Sequence, residues 1–129
     1  MIVGIGVDLV RVERLSRSLE RFGERFARKI LGGGELDGFH RSARPGHFLA
    51  KRFAAKEAAA KAIGTGFRDG LTLPQIQVEN DVVGRPLLRF TGRAAELIAE
   101  RGVTAAHLSL SDEEEHAVAY VVLESSLSA

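Results

Sequence analysis

Arg52-Phe53-Ala54-Ala55-Lys56-Glu57-Ala58-Ala59-Ala60-Lys61, closed by Gly64-Thr65-Gly66, decides how the rest of the chain is read. Alanine, lysine and glutamate are strong helix formers, so the segment reads as helix, and Gly64 stops it just past Ile63. Propensity does not require four charges within it. Glu57 and Lys61 stand one turn apart and can meet on one face, with the glutamate on the favourable N-terminal side for a pair. Arg52 and Lys56 are also one turn apart, and this like-charge pair costs a few tenths of a kcal/mol unless an anion lies between them. One reading is a carboxylate and several cations converging on a phosphorylated ligand, with a metal as a further participant. The plainer reading is an exposed helix carrying solubilising charges.

Working outward, this helix is expected from about Gly46 to Ile63. Before it, Ile2-Val3-Gly4-Ile5-Gly6-Val7 reads as a largely buried, β-branched strand ending on Asp8. Val12, Leu15, Leu19, Phe22, Phe26 and Ile30 then recur every three or four residues, the stripe of one long amphipathic helix. Phe22 and Phe26 fit its core side. Its other side is arginine: Arg11, Arg14, Arg17, Arg21, Arg25 and Arg28. Gly32-Gly33-Gly34 breaks that helix, and Glu35 to Phe39 form a short further turn. Downstream, Leu71-Thr72-Leu73 and Ile76 to Glu79 have strand-like content interrupted by Pro74. Ile76 to Glu79 pairs as a hairpin with Pro86 to Phe90 through the loop Asn80 to Arg85. A short helix follows from about Gly92 to Arg101. The chain closes with strands Ala106 to Ser111 and Ala117 to Leu123, joined by the acidic run Asp112 to His116. Strands and helices are segregated rather than alternating, so the expected class is α+β, a mainly antiparallel sheet packed against a long helix.

At 129 residues and 45% hydrophobic content, one domain spanning 1–129 can bury roughly two thirds of its unfolded surface. The absence of cysteine excludes disulfides, thiolate metal sites and a thiol nucleophile. No run of about 18 apolar residues is available to span a membrane, and the N-terminus lacks a signal-peptide pattern. A cytoplasmic protein is expected. The net charge of +1 hides an asymmetry. Residues 1–70 hold 14 Lys/Arg against 8 Asp/Glu, or +6, while residues 71–129 hold 4 against 9, or −5. The N-terminal half therefore faces something anionic, or the two surfaces meet in an oligomer. Nucleic acid is a poor fit: aromatics make up only 6% of the chain, which leaves few stacking platforms, and the acidic half repels a polyanion. A module that only docks an acidic partner explains the arginines but leaves Asp8, Glu57 and Lys61 unused.

Asp8 and Glu57 could together hold one hard divalent cation, since magnesium takes one or two protein carboxylates and completes its shell with water and phosphate oxygens. Gly4-Ile5-Gly6-Val7-Asp8, Arg52 to Glu57 with Lys61 and Gly64-Thr65-Gly66, Gly84-Arg85-Pro86 and His107-Leu108-Ser109-Leu110-Ser111 resemble, in order, the motifs of the holo-[acyl-carrier-protein] synthases. These are short bacterial 4′-phosphopantetheinyl transferases, and the resemblance covers nearly the whole chain. It implies the 4′-phosphopantetheinyl transferase fold, generally trimeric, with each site at a subunit boundary. The implied reaction moves 4′-phosphopantetheine from coenzyme A to a serine of apo acyl carrier protein, with magnesium as cofactor, in support of fatty acid biosynthesis.

Carried over by position, the resemblance makes Asp8 and Glu57 the metal-binding carboxylates, and Lys61 a residue that neutralises phosphate or holds the catalytic geometry. Arg52 and His107 would contact the 3′-phosphate side of coenzyme A, with Pro86 and the Gly64 to Gly66 turn bordering the nucleotide. Pro86 and His107 would come from the neighbouring subunit. The first long helix would dock the acidic carrier protein through Arg14, joined by Arg21, Arg25 and Arg28. Many relatives carry histidine after the Ser-x-Ser stretch, whereas this chain has Asp112 there and Glu113 next. The base is open between Asp112, Glu113, Glu57 and a water on the metal. Each residue also has a plainer role: Asp8 as a turn residue, Lys61 as a helix pair partner, His107 as a strand histidine, the arginines as a solvated face.

Overall fold

Alternation governs the first strand. In the computed structural model, which describes residues 1–126, β1 (Ile2–Arg11) turns Val3, Ile5, Val7 and Leu9 outward, where they are exposed, and Gly4, Gly6, Asp8 and Val10 inward. Two expectations are corrected here: the strand is not buried on both faces, and it runs three residues beyond Asp8. It continues because its ladder with the last strand, β5 (His116–Glu124), persists through Asp8↔Ala119 and Val10↔Ala117 to Arg11↔His116. The chemistry at Asp8 changes; the pairing does not. β5 also pairs antiparallel with β4 (Ala105–Asp112), giving a three-stranded sheet in the order β1-β5-β4.

The long helix α4 (Pro45–Ile63) crosses the inward face of this sheet. Proline at its first turn costs no hydrogen bond, and Gly64, at φ 97°, ends it with its N–H on the Ala60 carbonyl. Ala50, Ala54, Ala55, Ala58, Ala59, Ala60 and Ala62 are all buried, so the helix is a core element packed round most of its circumference, not an exposed carrier of charges. Small side chains let it approach β1 closely, and the strand answers with glycine. A Cβ on Gly4 would lie 2.0 Å from the Ala62 carbonyl oxygen, and one on Gly6 1.9 Å from that of Ala58.

The arginine-bearing stripe forms two helices, α1 (Val12–Phe22) and α2 (Glu24–Ile30), rather than one. Gly23, at φ 64°, turns the chain between them. Phe26 packs on the core as expected, but Phe22, the last residue of α1, is 54% exposed. A 3₁₀ turn (Gly33–Glu35) and the short α3 (Leu36–Arg41) then lead to α4. β2 (Ile76–Asn80) and β3 (Pro86–Phe90) form the expected hairpin as a separate two-stranded sheet, followed by α5 (Gly92–Glu100). Leu71-Thr72-Leu73 is not strand. Pro74 cannot donate to a ladder, and Leu73–Gln75 close into a 3₁₀ turn instead. All strand pairings are antiparallel, and the architecture is α+β. Among the described residues no helix is long and apolar enough to cross a membrane.

Candidate active site

The close packing of β1 on α4 brings Asp8 beside the Glu57–Lys61 edge of the helix. Lys61 Nζ donates to Asp8 Oδ1 at 3.1 Å and to the Val7 carbonyl at 2.9 Å. Glu57 and Lys61 do share this edge, where the lysine charge acts on the carboxyl, but the hydrogen bonds of the ammonium go to the strand, which offers it two acceptors at once. Burial is the main cause that pushes the Glu57 carboxyl above the usual carboxylate range, and the negative charge of Asp8 pushes it further; Lys61 and Arg14 pull it back. Arg14 reaches this edge from α1, its guanidinium 5.5 Å from the centre of the Phe53 ring. β1, α1 and α4 thus converge two carboxylates and two cations at one corner. Asp8 and Glu57 are hard oxygen donors that repel one another, a donor set that suits a magnesium ion.

Arg52 and Lys56 lie on another edge of α4, and the anion between them comes from the chain itself. Glu35, 2% exposed, accepts Lys56 Nζ at 2.6 Å and the Gly32 N–H at 3.0 Å on Oε1. Its Oε2 accepts Arg52 Nε at 3.0 Å and the Val78 N–H at 3.2 Å. Lys56 is fully buried and donates also to the Leu73 carbonyl; burial pushes its ammonium down to about 8 against the opposing pull of Glu35. Arg52 donates to the Val78 carbonyl at 3.3 Å and stacks on Phe48 at 4.0 Å. It forms part of the wall of a cleft of about 650 Å³ with Gly34, Arg41, Lys51, Glu79 and Leu110. Sequence reasoning missed Glu35. The available signal was a glutamate three residues after Gly32, the spacing of a capping carboxylate that reaches back to a free N–H.

The remaining residues are spread over the molecule. Gly64 and Gly66, both at positive φ, form the turn after α4, where Arg101 Nε caps the Ile63 carbonyl at 2.7 Å. Pro86 opens β3 opposite Asn80. His107 points outward from β4 to Glu124 Oε1 at 2.9 Å, on the sheet face opposite to that carrying Asp8. Asp112 closes β4, two residues beyond Leu110, which stands level with Asp8 across β5. Two strand spacings, about 9.5 Å, separate it from β1. Glu113 is engaged within the hairpin, where the His116 imidazole and then two backbone N–H groups hold its carboxyl below the usual range. Arg21 stacks on Phe22 at 5.1 Å, Arg28 pairs with Glu24 at 2.8 Å, and Arg25 lines a hollow of about 270 Å³ with Phe22, Phe26 and Lys29.

Residues 4–121 match the 4′-phosphopantetheinyl transferase superfamily. A holo-[acyl-carrier-protein] synthase of Halorhodospira halophila is 58% identical over 123 residues, 95% of this chain and 98% of the relative. The crystal structure of the holo-[acyl-carrier-protein] synthase from Neisseria meningitidis superposes with a TM-score of 0.90 at 42% identity, covering 96% of this chain and 99% of that one. A holo-(acyl-carrier-protein) synthase of Bacillus anthracis, solved in complex with CoA (3′,5′-ADP), gives 0.80 at 39% identity over 98% and 99%. Motif order, architecture and these likenesses agree along nearly the whole length: the chain belongs to the holo-[acyl-carrier-protein] synthase family of the 4′-phosphopantetheinyl transferase superfamily.

Proposed function

We propose that this single domain transfers 4′-phosphopantetheine from coenzyme A to a serine of apo acyl carrier protein, releasing adenosine 3′,5′-bisphosphate, and so supplies holo carrier protein for fatty acid biosynthesis in the cytoplasm. The observation that carries the reading is the corner where Asp8, Glu57 and Lys61 meet. Asp8 and Glu57 would hold magnesium. When bound, the ion supplies charge neutralisation on the diphosphate and on the leaving phosphate. Lys61, fixed between Asp8 and the Val7 carbonyl, adds a placed cation for the phosphate oxygens. Of the side chains considered as base, Glu57 is the one the chain itself sets beside Asp8; Asp112 lies two strands away and Glu113 is held by His116.

Arg52 would read the 3′-phosphate from its cleft, and the open backbone of Gly64 and Gly66 would let the nucleotide approach. Two observations support association of chains, which we take to be a homotrimer. Val3, Ile5, Val7, Leu9 and Tyr120 make one exposed apolar outward sheet face, of which Leu9 is 66% exposed, and a contiguous apolar face of this kind suits contact between chains. His107 and Asp8 are on opposite faces, so His107, like Pro86, would serve the site of a neighbouring chain. Arg14, Arg21, Arg25 and Arg28 would take the acidic carrier protein, with exposed Phe22 adding apolar contact.

Mass spectrometry of an apo carrier protein incubated with this protein, coenzyme A and magnesium tests the proposal. One added phosphopantetheine per carrier is expected. No mass change with any divalent metal would exclude the activity.

A further inference from the structure

We infer that Glu35 is a positioning residue for coenzyme A: through Oε2 it fixes the Arg52 guanidinium in the orientation that reads the 3′-phosphate. The inference rests on the proposed contact of Arg52 with that phosphate. Arginine ordinarily keeps its rotamers free at a surface, and selectivity for one phosphate needs the fork held in place. Here three contacts hold it. Glu35 takes Nε, the Val78 carbonyl takes Nη2, and the Phe48 ring lies against the guanidinium. Among the described residues Nη1 has no protein partner, and the cleft beside it is lined further by Arg41 and Lys51.

A pure stability role would not require this arrangement. Buried ion pairs are often no more stabilising than apolar residues of the same shape, so their presence needs another reason. Lys56 satisfies one oxygen of Glu35 and Arg52 the other, while Gly32 and Val78 pin the carboxylate from the backbone of two separate segments. The carboxylate cannot rotate without releasing four donors. Its orientation is therefore transmitted to Arg52, and Lys56, which touches no solvent, holds the other oxygen of Glu35 in place.

The test is the ratio of kcat/KM for coenzyme A to that for dephospho-coenzyme A, which lacks the 3′-phosphate. Loss of fold or of general activity lowers both values and leaves their ratio unchanged. Glu35→Gln combined with Lys56→Met removes both buried charges together and leaves one acceptor oxygen where the carboxylate had two, so the protein is expected to fold while Arg52 is loosely held. The ratio should fall about five-fold, the difference between a charged and a neutral acceptor. Phe48→Leu leaves the ion pair intact, removes the ring from the guanidinium, and should lower the ratio in the same direction. Arg52→Gln should lower it most. If Arg52→Gln lowers the ratio but the double variant and Phe48→Leu do not, Glu35 has no positioning role and the inference is wrong. If Arg52→Gln leaves the ratio unchanged, the assignment of Arg52 to the 3′-phosphate fails, and the inference fails with it.

Discussion

Replacing Gly6 with alanine tests the link between packing and chemistry most directly. The added Cβ would lie 1.9 Å from the Ala58 carbonyl oxygen and 2.9 Å from the Ala62 nitrogen. Carbon and oxygen in contact keep about 3.3 Å, so β1 and α4 must separate by on the order of 1 Å. The obstructing atoms are backbone, and no side-chain rotation relieves them. Overpacking typically costs about 1–3 kcal/mol, and with a rigid obstacle the upper end applies. For a chain of this size that is a fall in melting temperature of roughly 10–15 °C. Asp8 sits two residues along the same strand, opposite Lys61, so the displacement opens the carboxylate corner, and a misplacement of about 1 Å can cost about 100-fold in rate. Circular dichroism melts at fixed protein concentration and mass-spectrometric rates of carrier modification read the two effects. Ala58→Gly in the same chain should not rescue either, because the clash is with the carbonyl. A Gly6→Ala protein within about 0.5 kcal/mol of wild type, the range of an ordinary surface change, and within two-fold in rate would refute the reasoning.

Lys56→Met alone leaves Glu35 without its ammonium and should lower stability to urea by about 3–5 kcal/mol, while the double change with Glu35→Gln should recover most of it; equal losses in the two would argue against a buried ion pair. Because the folded Lys56 value lies near 8, below its ordinary 10.5, the unfolded chain binds more protons between those values, and the stability of wild type relative to Lys56→Met should rise with pH across that window. A flat difference would contradict this. The Glu57 carboxyl is held above its ordinary value, so its contribution to stability is present at low pH and declines as pH rises through the folded value. Glu57→Gln should therefore melt higher than wild type at neutral pH without divalent ions, yet show no turnover and no magnesium-dependent rise in melting temperature; a lower melt with the magnesium response intact would count against a carboxylate pair. Leu9→Asp places a charge on the outward apolar face and should yield monomers by sedimentation, whereas an unchanged mass would show that this face is not where chains meet.

Much of the fold was legible because its signals are periodic or punctual. The α4 boundaries follow from Gly64 and the alanine run, and the β2–β3 and β4–β5 hairpins follow from apolar runs separated by loop residues. Asp8, Glu57 and Lys61 were legible as charges without a packing reason, and the structure brings them together. The one-turn spacing of Arg52 and Lys56 signals the need for an anion but not its source. Glu35 is 21 residues from Lys56 and 43 from Val78, and a contact across such spans leaves no periodic trace. The α1–α2 break was hidden because the apolar spacing runs on from Phe22 to Phe26 across Gly23, whose only signal is the absence of a side chain. The alternation of β1 was masked for a similar reason. Glycine occupies inward positions where a strand would usually show its large residues, and the outward positions are apolar too.

The order of the ladder β1-β5-β4 also sets an order in time. β1 leaves the ribosome well before β5, its partner along the whole ladder, and the Met1 amino group donates to the Ser125 carbonyl at 2.7 Å, 124 positions later. During synthesis the strand that carries Asp8 has no neighbour to pair with, and its apolar odd-numbered residues wait uncovered. Such sequence-distant pairing is slow to form and prone to off-pathway association. The carboxylate corner therefore becomes competent only after β5 has emerged, and truncation anywhere within β5 removes the partner that holds Asp8 in place more than 100 positions earlier.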